Sequence, residues 1–147
     1  MIKQAPNSLT PRQIARVRET FAIVAKTPRE AAATFYARLF ELDPSTRSMF
    51  PADLEPQGRK LLGVLALVVD RLDDLEALGA EVEALGRRHA GYGVEARQYM
   101  SVRDALIWTL EDALGPEFCQ DARTGWRTAY VLLSARMMGA ARAALAA

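Results

Sequence analysis

Leu75-Glu76-Ala77-Leu78-Gly79-Ala80-Glu81-Val82-Glu83-Ala84-Leu85-Gly86-Arg87-Arg88-His89 is the stretch on which the reading of this chain turns. Its apolar side chains recur at Leu75, Leu78, Val82 and Leu85, the three-and-four spacing of one face of an α-helix. Four residues further on, the same face reaches His89. An imidazole is thereby aimed into an aliphatic interior, where polar nitrogens without partners cost on the order of a few kcal/mol. The helix starts near Asp74, and Gly91 and Gly93 punctuate its end.

Outward from this helix the chain reads as helical throughout, because no alternation of polar and apolar residues is long enough for a strand. Proline placement marks the segments. Thr10-Pro11-Arg12-Gln13 and Thr27-Pro28-Arg29-Glu30 both read as capping boxes, with Thr at the N-cap and proline at the first helical position. Asp43-Pro44 and Glu55-Pro56 repeat the idea, and Gly115-Pro116 ends one helix and opens the next. Ile14, Val17, Phe21 and Val24 form the first apolar stripe, and Ala32, Phe35 or Tyr36, Leu39 and Phe40 the second. From Asp43 to Pro56 there is room for only a short helical turn after Pro44. The Gln57–Leu72 helix is apolar nearly all round, which predicts burial on several sides. A long helix over Glu95–Leu114 carries Tyr99, Val102, Leu106 and Leu110. The last, from about Pro116 onward, carries Phe118, Ala122, Trp126, Ala129, Leu133 and Met137. The expectation is an all-α fold in a single domain spanning residues 1–147.

Composition removes most functional classes. Nineteen Lys and Arg against eighteen Asp and Glu leave a formal charge of +1, which gives no electrostatic case for nucleic acid or an anionic membrane. The longest apolar run, Leu61 to Val69, has nine residues, about half of a membrane span. No apolar core of an export signal follows Met1, so a cytoplasmic location is expected. The single cysteine, Cys119, excludes an intramolecular disulfide and any site needing two thiolates. It is expected to lie early in the last helix, buried or half-buried, and is assigned no role. The single histidine excludes every site built on two.

Two explanations for His89 follow from the residues alone. It is either a core histidine, hydrogen-bonded to a backbone carbonyl or to Tyr99, or an axial ligand to a flat apolar cofactor, since one neutral imidazole suffices for haem iron. Gln57, one turn ahead of Leu61, and Tyr36, beside Phe35, are polar groups on otherwise apolar faces. Spacing leaves both open between an ordinary structural place and a site facing the histidine.

Leu85-Gly86-Arg87-Arg88-His89-Ala90-Gly91-Tyr92-Gly93-Val94 resembles the proximal-histidine segment of globins, nearest to the haem domain of bacterial flavohaemoglobins, the related single-domain haemoglobins and neuroglobin. The likeness extends through Phe35-Tyr36-Ala37-Arg38-Leu39-Phe40, Asp43-Pro44, Phe50 and Gln57-Gly58-Arg59-Lys60-Leu61. Beyond His89 it continues in Tyr99, Leu106-Ile107-Trp108 and Trp126-Arg127-Thr128-Ala129-Tyr130. The intervals of 14 residues from Tyr36 to Phe50 and 32 from Gln57 to His89 also fit. The resemblance implies a globin fold with helices packed around one noncovalent haem b. His89 is then the proximal iron ligand, Tyr36 and Gln57 the distal pair, and Leu61 a bound on the ligand space. Phe50 packs on the haem face, Tyr99 flanks the proximal side, and Lys60 with Arg87 or Arg88 reaches the haem carboxylates. No catalytic residue is assigned beyond these.

The implied function is reversible binding of dioxygen, nitric oxide or another small gas, with two donors each contributing roughly 1 kcal/mol or more to the bound ligand. The alternatives are nitric oxide dioxygenation with a separate reductase, and a haem-free interaction or sensor module on the same fold. Flavohaemoglobins continue into a reductase, which this sequence does not, so electrons are expected from a partner. That family also sets a Glu beside the proximal histidine. The corresponding position is Ala143, and no Asp or Glu occurs after Asp121. His89 is therefore expected to donate to a backbone carbonyl, on a weakly electron-donating proximal side.

Overall fold

A computed structural model describes residues 8–146. The expectation about the first residues lies largely outside this range. Six helices follow in order: α1 (Pro11–Val24), α2 (Pro28–Leu42), α3 (Glu55–Asp70), α4 (Gly79–Gly91), α5 (Ala96–Leu114) and α6 (Gln120–Ala146). Short 3-10 segments cover Pro44–Met49, Leu75–Leu78 and Gly115–Glu117, and the described residues contain no strand. No helix among them is long and apolar enough to cross a membrane.

The start of α1 follows the sequence. The Thr10 hydroxyl accepts from the Gln13 N–H, and the Gln13 side chain accepts from the Thr10 N–H, so two otherwise unpaired donors are satisfied. The second expected capping box does not form. Thr27 has ψ 63° and makes no side-chain cap. A linker of three residues joins α1 to α2, and its Lys26 and Thr27 N–H groups bond back to the carbonyls of Ile23 and Val24. This tight corner, not the hydroxyl, sets the backbone there. Further on, Glu55-Pro56 lies inside α3, whose N-cap is Leu54. Pro116 belongs to a 3-10 turn rather than opening the last helix, which begins at Gln120.

The core joins α1, α2, α5 and α6. Val17, Leu39 and Leu110 are fully enclosed, each worth about 1.5–3 kcal/mol relative to exposure. Trp126, 3% exposed, donates its indole N–H to the Thr20 hydroxyl at 2.9 Å, so its polar atom is satisfied inside the core. The main contacts run between α4 and α6, α2 and α5, α1 and α6, and α2 and α3. At the α4–α6 crossing, a Cβ on Gly86 would stand 2.3 Å from the Met137 carbonyl oxygen. Only glycine permits that approach.

The stripe ending at His89 spans two elements rather than one helix. Leu75–Leu78 forms a 3-10 turn with Leu78 buried, and α4 proper begins at Gly79. After α4, Gly93 takes φ +77°, a conformation that lets the chain reverse toward α5. The expectation that the apolar Gln57–Leu72 helix is buried on several sides is not met. Within α3 only Gly58, Val68 and Val69 are buried, Leu61, Leu62, Val64 and Leu65 are half-buried, and Leu67 is 43% exposed. The reason is its neighbours: α3 rests on α2 and lightly on α1, and it shares no packed face with α4.

Candidate functional site

His89 sits in the last turn of α4, half-buried, and its Nδ1 lies 2.8 Å from the Leu85 carbonyl oxygen. A carbonyl only accepts, so Nδ1 carries the proton and the lone pair is left on Nε2. Among the described residues, nothing hydrogen-bonds that second nitrogen. Burial holds the imidazole pKa below its ordinary value of 6.5. The charge on Arg88 pushes the same way, against the Leu85 hydrogen bond. The expected bond to a backbone carbonyl is present, while Tyr99 plays a different part. Its ring lies 6.2 Å from the imidazole, and its buried hydroxyl has no hydrogen-bond partner among the described residues.

A cavity of about 830 Å³ opens beside α2 and the start of α3, bordered by Ala32, Tyr36, Phe40, Arg47, Leu54 and Gly58 among others. Tyr36 is 4% exposed, and burial pushes its phenol up to about 12. Its hydroxyl makes no hydrogen bond to the described residues, and its oxygen is not among the fully buried polar atoms, so it faces the cavity. Three aromatic rings fix it: Phe35 edge-on at 5.1 Å, Phe50 edge-on at 5.4 Å and Phe40 stacked at 6.0 Å. Gln57 lies half-buried in the first turns of α3, flanked by the cavity-lining residues Glu55, Gly58 and Arg59.

Other residues expected at the site take up varied places. Phe50 is half-buried against Tyr36 and Phe40. Leu61 is half-buried and borders a small apolar cavity of about 20 Å³ together with Phe35, Leu65, Leu106 and Trp126. Lys60, Arg87 and Arg88 are exposed, and none pairs with a carboxylate among the described residues. Cys119 is a correction. It is exposed and precedes α6, its carbonyl accepting the Arg123 N–H, because α6 begins one residue later than a helix containing it would.

The sequence reading missed Arg47. Its guanidinium stands 5.1 Å over the Phe40 ring and donates to the carbonyls of Phe50 and Pro51 at 3.3 and 3.2 Å. Its position three residues before Phe50 could have flagged it, because a 3-10 turn after Pro44 brings those positions together. The donor set fits a haem: an imidazole with one unbonded nitrogen on α4, and a phenol with aromatic neighbours facing a large cavity, which Arg29, Arg47, Glu55 and Arg59 also line and His89 does not border. Among the described residues no cluster of three or more His, Cys, Asp or Glu offers a different metal site.

Comparison with known proteins agrees. Neuroglobin of Danio rerio is 29% identical over 142 residues, covering 86% of this chain and 89% of that protein. Leghemoglobin of Psophocarpus tetragonolobus is 30% identical over 137 residues, covering 87% and 94%. Among solved structures, an engineered carbene transferase built on a proposed nitric oxide dioxygenase of Rhodothermus marinus superposes with a TM-score of 0.83 at 28% identity, covering 95% of this chain and 97% of that one. A bacterial globin from Campylobacter jejuni shares the fold with a TM-score of 0.82 at 19% identity, covering 94% and 100%. The Globin family model matches residues 33–137, and the chain belongs to the globin family.

Proposed function

We propose that this globin carries haem b noncovalently, with His89 as the axial ligand, and binds dioxygen reversibly beside Tyr36 and Gln57. One observation carries the reading: His89 commits Nδ1 to a backbone carbonyl and keeps Nε2 free. With Nδ1 committed, Nε2 is the ring nitrogen whose lone pair remains for an axial bond to iron. Bound haem supplies a ferrous iron that takes up a diatomic gas. The chain's residues do the rest.

The Leu85 carbonyl fixes the imidazole tautomer and ring orientation. Tyr36, protonated far above physiological pH, offers an O–H donor in an apolar setting, and the Gln57 amide offers a second. Phe40 and Phe50 pack against the phenol ring and hold its direction. Lys60 and Arg88 or Arg87 are long enough and free enough to meet haem carboxylates at the surface. A single cysteine is too few for paired thioether attachment. With no carboxylate after Asp121, the proximal side lacks the partner that would make His89 strongly electron-donating. That favours holding a gas over peroxidase-like chemistry.

A second reading, nitric oxide dioxygenation with a separate reductase, is supported by the likeness to the Rhodothermus marinus protein. Rapid mixing of nitric oxide with the dioxygen-loaded protein separates the two readings: repeated turnover in the presence of a reductase selects the enzyme. The first reading is tested by reconstitution with haemin. The parent chain should give a Soret band, and His89→Gly should give none until imidazole is added. A normal band in His89→Gly without imidazole would overturn the ligand assignment.

A further inference from the structure

A polar cluster joins the turn after α4 to the segment before Phe50. Asp43 ends α2 with its side chain 8% exposed. Its Oδ2 accepts from Arg97 Nη1 at 2.8 Å, and its Oδ1 accepts from the Ser45 N–H at 3.2 Å and the Ser45 hydroxyl at 2.5 Å. Glu95 steadies Arg97 from the other side, its Oε2 accepting from Nε at 2.9 Å. Gln98, 6% exposed, donates from Nε2 to Met49 Sδ at 3.4 Å and to the Ser45 hydroxyl at 3.5 Å, while its Oε1 accepts the Glu95 N–H at 2.8 Å. The Ser45 hydroxyl, with help from Arg97, holds the Asp43 carboxyl below the usual carboxylate range against the effect of burial.

Each end of this cluster is attached to one wall of the site. Behind His89, the Val94 N–H donates to the His89 carbonyl at 3.2 Å, so Glu95, Arg97 and Gln98 follow directly from a turn tied to the proximal residue. On the other side, Met49 precedes Phe50, whose ring lies 5.4 Å from that of Tyr36. α2 and α5 pack on one another deeper in the fold, whereas α3 and α4 share no packed face, so near the site the polar cluster is what joins the two walls.

We propose that Asp43 is a positioning residue: with Arg97 and Gln98 it braces the turn behind His89 against the segment bearing Phe50, and so sets the spacing between the proximal imidazole and the distal wall that holds Tyr36. This rests on the reading of His89 and Tyr36 as opposite sides of the haem site. A buried carboxylate fixes such a distance because it tolerates neither a longer gap, which leaves it unpaired, nor a shifted one, which breaks its directed hydrogen bonds. Arg97, 57% exposed, could adjust. Asp43 cannot.

The test uses the full chain reconstituted with haemin, comparing Asp43→Asn, Arg97→Met and the double variant. Haemin loss to an excess of a haem-free acceptor should be at least fivefold faster in each single variant, and no faster in the double than in the worse single. The dioxygen dissociation rate should change at least threefold in the same variants, and Arg97→Lys should restore most of both. Haemin loss within twofold of the parent in both single variants overturns the proposal. So does faster loss that merely follows a lowered unfolding midpoint of the haem-free chain. If Asp43→Asn fails to fold, Ser45→Ala, which removes one hydroxyl contact, takes its place with a threefold effect on haemin loss expected and none refuting. A parent chain that takes up no haemin would instead refute the underlying haem reading.

Discussion

Replacing Tyr36 by Phe removes one oxygen atom from the wall of the large cavity and leaves every contact that holds the ring. Those contacts are aromatic, with Phe35, Phe50 and Phe40 at 5.1, 5.4 and 6.0 Å, and none uses the hydroxyl. In the haem-free chain that hydroxyl makes no hydrogen bond to the described residues and borders the cavity, where water can meet it. Tyr36→Phe should therefore shift the unfolding midpoint of the haem-free chain by no more than roughly 3 °C, the equivalent of about 1 kcal/mol. In the haem-loaded protein the effect is large. The phenol is then a donor to the held gas, and losing about 1.4 kcal/mol of that interaction speeds dioxygen dissociation roughly tenfold. Thermal unfolding of the haem-free chain and stopped-flow displacement of dioxygen by carbon monoxide measure the two effects. The reasoning fails if the dissociation rate stays within twofold of the parent, or if the midpoint falls by more than roughly 3 °C. A large kinetic effect with little change in stability is hard to obtain from a residue that is merely part of the core.

Gly86→Ala should cost about 2–3 kcal/mol or more, because the new Cβ would meet Met137 backbone atoms at 2.3, 2.7 and 2.8 Å, which cannot swing aside as a side chain can; an unfolding midpoint within 1 °C of the parent would mean that α4 and α6 separate freely. Stability should also fall as pH rises from 10 to about 12, because the unfolded Tyr36 phenol ionises near 10 while the buried one holds its proton to about 12. Tyr36→Phe should flatten that part of a chemical-denaturation profile, and an unchanged slope would place the phenol in solvent.

The fold was legible where local chemistry and long-range contacts ask for the same thing. Thr10, Pro11 and Gln13 satisfy one another within four residues, so the start of α1 could be read directly. Thr27, Pro28 and Glu30 present the same letters, but a three-residue corner fixes the backbone before the hydroxyl can cap it. Sequence shows a capping residue, not the path by which the chain arrives. The apolar wrap of α3 misled in a similar way: hydrophobicity on all sides predicts burial on all sides only if neighbours stand there, and α4 turns toward α6 instead. Gly86 explains that choice, since a residue without a Cβ lets α4 come within backbone contact of α6.

At the site, residue types were easier to read than their partners. His89 on the face of Val82 and Leu85 announced an imidazole in an apolar setting, and the absence of any acidic residue after Asp121 announced a carbonyl as its neighbour; the Leu85 bond agrees. Arg47 and Asp43 could not be read that way. The arginine matters because a 3-10 turn folds it back over Phe40, and the aspartate because Arg97 lies 54 residues away in sequence. A helix face repeats, so its inward side chains can be counted from the sequence. A polar group in a turn has no such period, and its role depends on which distant segment meets it. The residues proposed to face a ligand were therefore candidates in the sequence already, while those proposed to brace the two walls became visible only with the chain folded.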